Sequence, residues 1–442
     1  MQKNTNIIQT VVLVVFGIGI ILGVLFFSGK IKLPWDKESE TGITGSVTVW
    51  GVLPYTQVKG IFDTFQQQNK GLRLTYEVKD PKKMQTELVN ALASGKGPDI
   101  FMMAPGEVAE NIDRLFIVPY GNYPSTVFKN NFIDAGDIFL TTQGIIAFPL
   151  FVEPMIMYYN RDILTSNYIT KPPATWDEFS QKVSLLTQKD DAGKIKQSTV
   201  ALGTTNNISH ARDLIVLKML QLGNPITYQQ NDGWIAIPNT NNALTNALSW
   251  FVSFSTPTDP NYSWNPSLPK DRDYFIAGNS AFYFGYPSEI ATIRQKNPNL
   301  NFAVAMTPQQ GDSGKKVNYG QLYSIGINKL SKNLAGAVGV VNLMTEKNNA
   351  LNLLAGSYYM PVRRDLLDEK PTDNNESALF FNAAIISKTF LDPDVSETDR
   401  LFNNAVNQIN AGSKTVQTAV DAVSSGLQDM VSTLKLPEKP LE

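Results

Sequence analysis

The chain has 442 residues, of which 43% are hydrophobic and 18% charged, a globular composition with room for two large cores. Lys and Arg number 38 against 40 Asp and Glu, a net charge of −2; with no dense basic run, nothing supplies the attraction that nucleic acids require. There is no cysteine and one histidine, His210. That excludes disulfides, thiolate metal sites, a cysteine nucleophile and a lipid-modified cysteine, and leaves almost no room for histidine-based catalysis or metal binding.

Residues 7–27 read IIQTVVLVVFGIGIILGVLFF, with no charge and only Gln9 and Thr10 polar. At about 1.5 Å per residue a helix of this length spans a hydrocarbon core of roughly 30 Å. The run ends without an A-x-A cleavage pattern, so the reading is an uncleaved anchor over 7–28 rather than a signal peptide, after a short tail of residues 1–6. Lys3 precedes it and Lys30 and Lys32 follow it, so charge leaves the orientation open. Gly19 and Gly23 form a G-x-x-x-G that more simply reflects membrane-helix composition than a dimer face. Residues 29–44 read as a polar tether.

From Gly45 onward short strand patterns alternate with amphipathic helix patterns, which predicts an α/β fold. Residues 46–50 alternate polar and apolar, then Val58, Ile61, Phe62 and Phe65 fall at helical spacing. Leu72, Leu74, Tyr76 and Val78 predict a second strand; Met84, Leu88 and Leu92 a helix that stops at Gly95; residues 100–103 a buried strand. The pattern continues at 147–149 and 155–159. Thr175 and Glu178 form a capping box ahead of an apolar stripe of Trp176, Phe179, Val183 and Leu186. Helices are expected at 209–222, 242–254 and 288–296, and strands at 281–284, 301–306 and 322–327. The last third reads as mostly helical, with one stripe through Val416, Val420, Val423, Leu427, Met430 and Leu434.

The order of these landmarks resembles the family 1 extracellular solute-binding proteins, the maltose-binding-protein-like group. Six stretches carry the likeness: VTVW at 47–50; ALASGKGPDI at 91–100; GIIAFPLFVEPMIMYYNRDIL at 144–164; PPATWDEF at 172–179; FIAGNSA at 275–281; and 330–363, ending in Pro361-Val362-Arg363. Together they span nearly all of 45–435. The resemblance implies a two-lobed type II periplasmic-binding-protein-like fold with a hinge and an interlobe cleft. By chain order, residues 45–151 and 304–357 would form lobe 1, and 152–303 and 358–435 lobe 2.

The function so implied is capture of a small polar solute, a sugar or oligosaccharide, and its delivery to the permease subunits of an ABC transporter. The chain would be a monomer tethered by one N-terminal pass, its soluble part outside the membrane. No catalytic residue, metal or cofactor is expected. A polyamine, organic acid or peptide on the same fold, a sensory or adhesive ectodomain, and an anchored carbohydrate-active enzyme are the rival readings.

Open α/β sheets hold ligands beyond the carboxyl ends of their strands, so strand-end residues are the first candidates. These are Trp50, Gly51 and Tyr55 after the first strand, and Glu153 where the chain should cross between lobes. Further on come Tyr286 in a Gly-Tyr-Pro turn, Gln321 and Tyr323 before the returning strand, and Tyr358 and Tyr359 before Met360. Many sugar binders show Gly-Pro-Trp where this chain has Gly285-Tyr286-Pro287. Asp99 reads as a local backbone acceptor, Arg363 and Arg364 as mostly structural, and His210 as a surface or helix-cap residue. Residues 392–396 begin like a calcium loop, but Glu397 and Asn403 stand where an EF-hand needs glycine and glutamate.

Overall fold

A computed structural model describes residues 43–436, apart from 232, 312–313, 370 and 372–374. The expected anchor at 7–28 and most of the tether lie outside the described residues. Among the described residues no helix is long and apolar enough to cross a membrane.

Fourteen strands are described: β1 (Gly45–Gly51), β2 (Leu72–Val78), β3 (Ile100–Met103), β4 (Phe148–Pro154), β5 (Ile156–Asn160), β6 (Gln188–Lys189), β7 (Ile195–Val200), β8 (Thr227–Gln230), β9 (Gly233–Ala236), β10 (Ser280–Gly285), β11 (Phe302–Ala305), β12 (Asn318–Ile327), β13 (Met360–Pro361) and β14 (Ser387–Lys388). They form two main sheets. The first runs β13-β4-β12-β3-β1-β2, with β14 also on β12; the second runs β11-β5-β10-β7-β6. Strands β8 and β9 make a separate hairpin.

The first sheet begins as a β-α-β unit. β1 pairs parallel with β2 and β3, and the helix Tyr55–Gln68 between β1 and β2 buries Val58, Ile61 and Phe62. In the second sheet β10 is buried along its whole length. Its alternation sends Tyr283 into one core and Phe282 and Phe284 into the other. A strand covered on both faces must read as a continuous apolar run, and this one does.

The capping box forms with a shift. Thr175 Oγ1 accepts from the Glu178 N–H at 3.2 Å, but Glu178 reaches back to the Ala174 N–H at 2.7 Å rather than to that of Thr175. Trp176, Phe179, Val183 and Leu186 are all buried, as the stripe predicts.

Three stretches join the sheets: β4 into β5, β11 into β12, and β14 toward the helix Val395–Asn410. Strand β12 begins four residues earlier than the pattern at 322–327 suggests. Gly320 and Gln321 gain partners Pro154 and Glu153 only in the folded sheet. Strand β11 stays in the second sheet, antiparallel to β5. Chain order assigns residues from 358 to lobe 2, yet Met360–Pro361 pair with β4 and the helix Asn375–Ile385 packs on β4 and β13. Main-chain pairing therefore places β13 and β14 on the first sheet, with the helix Asn375–Ile385 packed against it.

Candidate ligand-binding cleft

The candidate floor of the cleft is β4 and β12, which run antiparallel with Glu153 opposite Gln321 and Phe151 opposite Tyr323; of these Gln321 lines a pocket. Directly opposed residues share a sheet face, and so do alternate residues of one strand, so these four side chains project together. Tyr359 joins them just before β13. Phe151 stacks on Tyr323 with centroids 4.6 Å apart and on Tyr359 at 4.4 Å. The two phenols share a hydrogen bond, and burial pushes both above the usual phenol range. They are therefore neutral groups that donate and accept.

Glu153 is only 4% exposed. Burial pushes its carboxyl above the usual range, opposed by hydrogen bonds from Ser288. Its Oε1 accepts the Ser288 N–H at 2.7 Å. Ser288 closes the turn after β10, so this bond ties the crossing strand to the second lobe.

Beside the floor lies a pocket of about 320 Å³, lined by Gln321 together with Ser209, His210, Arg212, Asp213, Asp399 and Asn403. Its wall is a web of charge. Arg212 meets Asp392 at 2.9 Å, Asp399 at 3.1 Å and Asp213 at 3.4 Å. Asp213 accepts the Tyr286 hydroxyl at 2.7 Å. His210 Nε2 lies 3.0 Å from Glu289 Oε1, and Glu289 also accepts from the Tyr283 hydroxyl at 2.6 Å and the Tyr286 N–H at 3.0 Å. Burial alone would depress the His210 imidazole, but the Glu289 hydrogen bond and charge outweigh it and hold it above its ordinary value. The same partners hold Glu289 below the usual carboxylate range against the effect of burial.

The helix Glu107–Asn111 approaches the segment from Asp392 to Val395. Glu107 accepts the Ala104 N–H at 2.7 Å, and Glu110 feels the charges of Asp394 and Asp392 from the second lobe. Gly106, before this helix, has φ +87° and lies against the Val395 side chain. A β-carbon here would meet both a strained backbone and the opposite lobe.

The structure thus brings Glu153, Gln321, Tyr323 and Tyr359 together. Tyr286 reaches the same web from the interior, 3% exposed, with its hydroxyl on Asp213. Trp50 and Gly51 close β1 and Tyr55 opens the helix that follows, and no hydrogen bond or ring contact among the described residues joins them to the floor. One face of Trp50 is covered by Lys79 Nζ, 3.5 Å from the ring centroid. Gly51 packs so close that a β-carbon would lie 2.8 Å from Met102 Sδ. Tyr55 and Tyr358 are exposed.

Asp99 accepts from the Thr48 N–H at 2.8 Å and the Ser331 hydroxyl at 2.6 Å. Arg363 forks onto Asp365 at 2.9 and 2.8 Å. Asp392 and Asp394 organise the start of the helix Val395–Asn410: Asp392 accepts the Thr398 hydroxyl and Asp394 the Glu397 N–H. His210 stands at the N-cap position of the helix Ala211–Gln221, as expected, but makes no side-chain cap and instead packs edge-on to Tyr286 at 4.9 Å. The sequence reading passes over Arg212, Asp213, Ser288, Glu289 and Asp399. One signal was available: charges crowd Ser209-His210-Ala211-Arg212-Asp213, at the head of a helix otherwise buried and apolar from Leu214 to Leu217.

The model of the family described as bacterial extracellular solute-binding protein matches residues 60–380. A protein of Brucella abortus (strain 2308) named as a binding protein is 23% identical over 361 residues, covering 79% of this chain and 83% of its own. A cyclo/maltodextrin-binding protein complexed with maltotetraose superposes with TM-score 0.70 at 18% identity, covering 89% of this chain and 99% of that one. An ABC transporter solute-binding protein from Thermotoga lettingae, bound with α-D-tagatose, gives TM-score 0.57 at 16% identity, with 88% and 100% covered. The match of the family model over most of the chain, on a fold with two sheets and a cleft between them, settles the assignment: the chain belongs to the bacterial extracellular solute-binding proteins.

Proposed function

We propose that this protein is the extracytoplasmic receptor of an ABC importer and that its ligand is a neutral, hydroxyl-rich molecule, a sugar or short oligosaccharide. The carrying observation is the aromatic and polar group on β4 and β12: Tyr323 and Tyr359, each stacked on Phe151, beside Glu153 and Gln321. Aromatic faces cover the apolar side of a sugar ring, while amides, phenols and carboxylates take its hydroxyls. The cations on the wall already have carboxylate partners: Arg212 has three and His210 has Glu289. Arg363, the arginine that would favour an anion, is occupied by Asp365. A cleft neutralised in this way favours an uncharged ligand over an organic acid. The sugars bound by the two structural relatives agree with the reading.

A polyamine is the second reading, favoured by the mutual proximity of Glu107, Glu110, Asp392 and Asp394: Glu107 feels the charge of Glu110, and Glu110 feels those of both aspartates. The uncharged stretch at 7–27 supports a membrane tether, with the lobes outside the membrane.

The test is thermal shift and calorimetry on the full-length protein against mono- and oligosaccharides, with putrescine and spermidine as the competing arm. A ligand at about 100 times its Kd stabilises the native state by about 2.7 kcal/mol. Binding of a saccharide that Tyr323→Ala or Tyr359→Ala weakens at least tenfold is the expected result. No response to any saccharide, with or without a response to the amines, overturns the sugar assignment.

A further inference from the structure

A second groove, of about 620 Å³, opens between the lobes and shares no lining residue with the cleft pocket. One wall carries Lys129, Asp134 and Asp137 from the segment before β4 together with Lys388 of β14, whose Nζ lies 4.0 Å from Asp134; the other carries Gln229 and Trp234 of the β8-β9 hairpin.

Its electrostatics are one-sided. Asp134 is held by Lys315 and Arg364, which outweigh burial and bring its carboxyl down to about 2. Asp137 sits within the fields of Lys129, Arg364 and Lys388. The lining itself balances Lys129 and Lys388 against Asp134 and Asp137, with Lys388 4.0 Å from Asp134; Lys315 and Arg364 stand behind Asp134, so that four cations surround two carboxylates. An excess of cations around a concave surface draws anions.

The groove also holds donors without acceptors. Trp234 is only 6% exposed, and among the described residues its indole N–H has no hydrogen-bond partner; neither has the buried amide nitrogen of Gln229. The two residues stand directly opposite in the hairpin. Buried N–H groups are almost always paired, so two orphans in one groove call for an acceptor from outside the chain.

We propose that this groove is a second ligand site, for a small organic anion such as a carboxylate or a phosphate ester. Lys129 and Lys388 supply the charge, and Trp234 and Gln229 donate to its oxygens. The site is independent of what the cleft binds.

The experiment is calorimetry on the full-length protein with citrate and glucose 6-phosphate, and with glucose as the uncharged control. At least one anion should bind, and the affinity should fall as ionic strength rises. Lys129→Glu and Lys388→Glu should each weaken it at least tenfold, and Trp234→Phe severalfold. Lys129 is exposed, so Lys129→Glu tests the charge without disturbing the core. Tyr359→Ala, which alters only the cleft floor, should leave anion binding unchanged. The proposal is overturned if neither anion binds, if binding survives Lys129→Glu together with Lys388→Glu, or if Tyr359→Ala abolishes it.

Discussion

Glu153 Oε1 accepts the Ser288 main-chain N–H at 2.7 Å across 135 residues of sequence, joining the strand that crosses between the lobes to the turn that ends the central strand of the second sheet. The bond fixes a carboxylate at the floor of the cleft.

Glu153→Leu would leave the Ser288 N–H without an acceptor, at a cost of about 1–3 kcal/mol. Glu153→Gln keeps an acceptor and removes a buried charge. Because burial raises the Glu153 pKa, the folded chain holds this proton more tightly than the unfolded one, and its contribution to stability falls as pH rises from 4.5 through the folded value. Thermal melts at neutral pH should therefore place Glu153→Gln at or above the parent and Glu153→Leu below it.

The His210–Glu289 pair sets a pH window. A histidine whose folded pKa lies above 6.5 contributes stability that is complete below 6.5 and is lost as pH rises through the folded value. Glu289, held below 4.5, contributes stability that is present above 4.5 and is lost as pH falls through its own folded value. The melting temperature should decline on the alkaline side of this window, and His210→Gln should flatten that limb between pH 6 and 9. An unchanged alkaline limb in the variant would refute the pairing.

Gly106→Ala places a β-carbon at φ +87° and against Val395. The left-handed backbone alone costs roughly 1–2 kcal/mol. Val395→Ala added to Gly106→Ala should restore the steric part and not the backbone part. Melting curves of the two variants separate the contributions, and full recovery in the double variant would show that the backbone carries no strain.

Phe179 is fully buried among Trp176, Phe254, Phe282 and Phe284. Phe179→Ala should destabilise the second lobe by about 3–5 kcal/mol, measured by urea unfolding.

The Brucella relative, at 23% identity, and the structural relatives, at 18% and 16%, share little sequence with this chain. What stayed legible is local. Alternation fixes β1 and β2, a continuous apolar run marks β10, and the apolar stripe with its cap fixes the helix Trp176–Leu186, because period and capping depend only on near neighbours. The two-residue strands β13 and β14 left no such trace, since each is a strand only by virtue of distant partners, Val152 and Phe151 for β13 and Asn318 and Tyr319 for β14.

The sequence by itself determined the alternating architecture, the family and the place of Glu153 at a crossing between lobes, all of which rest on local pattern and order. Only the tertiary structure decided that Gln321 would stand opposite Glu153, that Tyr359 would stack on Phe151, and that Arg212 would gather carboxylates from positions 213, 392 and 399. Those relations come from strand register and from the approach of segments far apart in the chain, which no local spacing encodes.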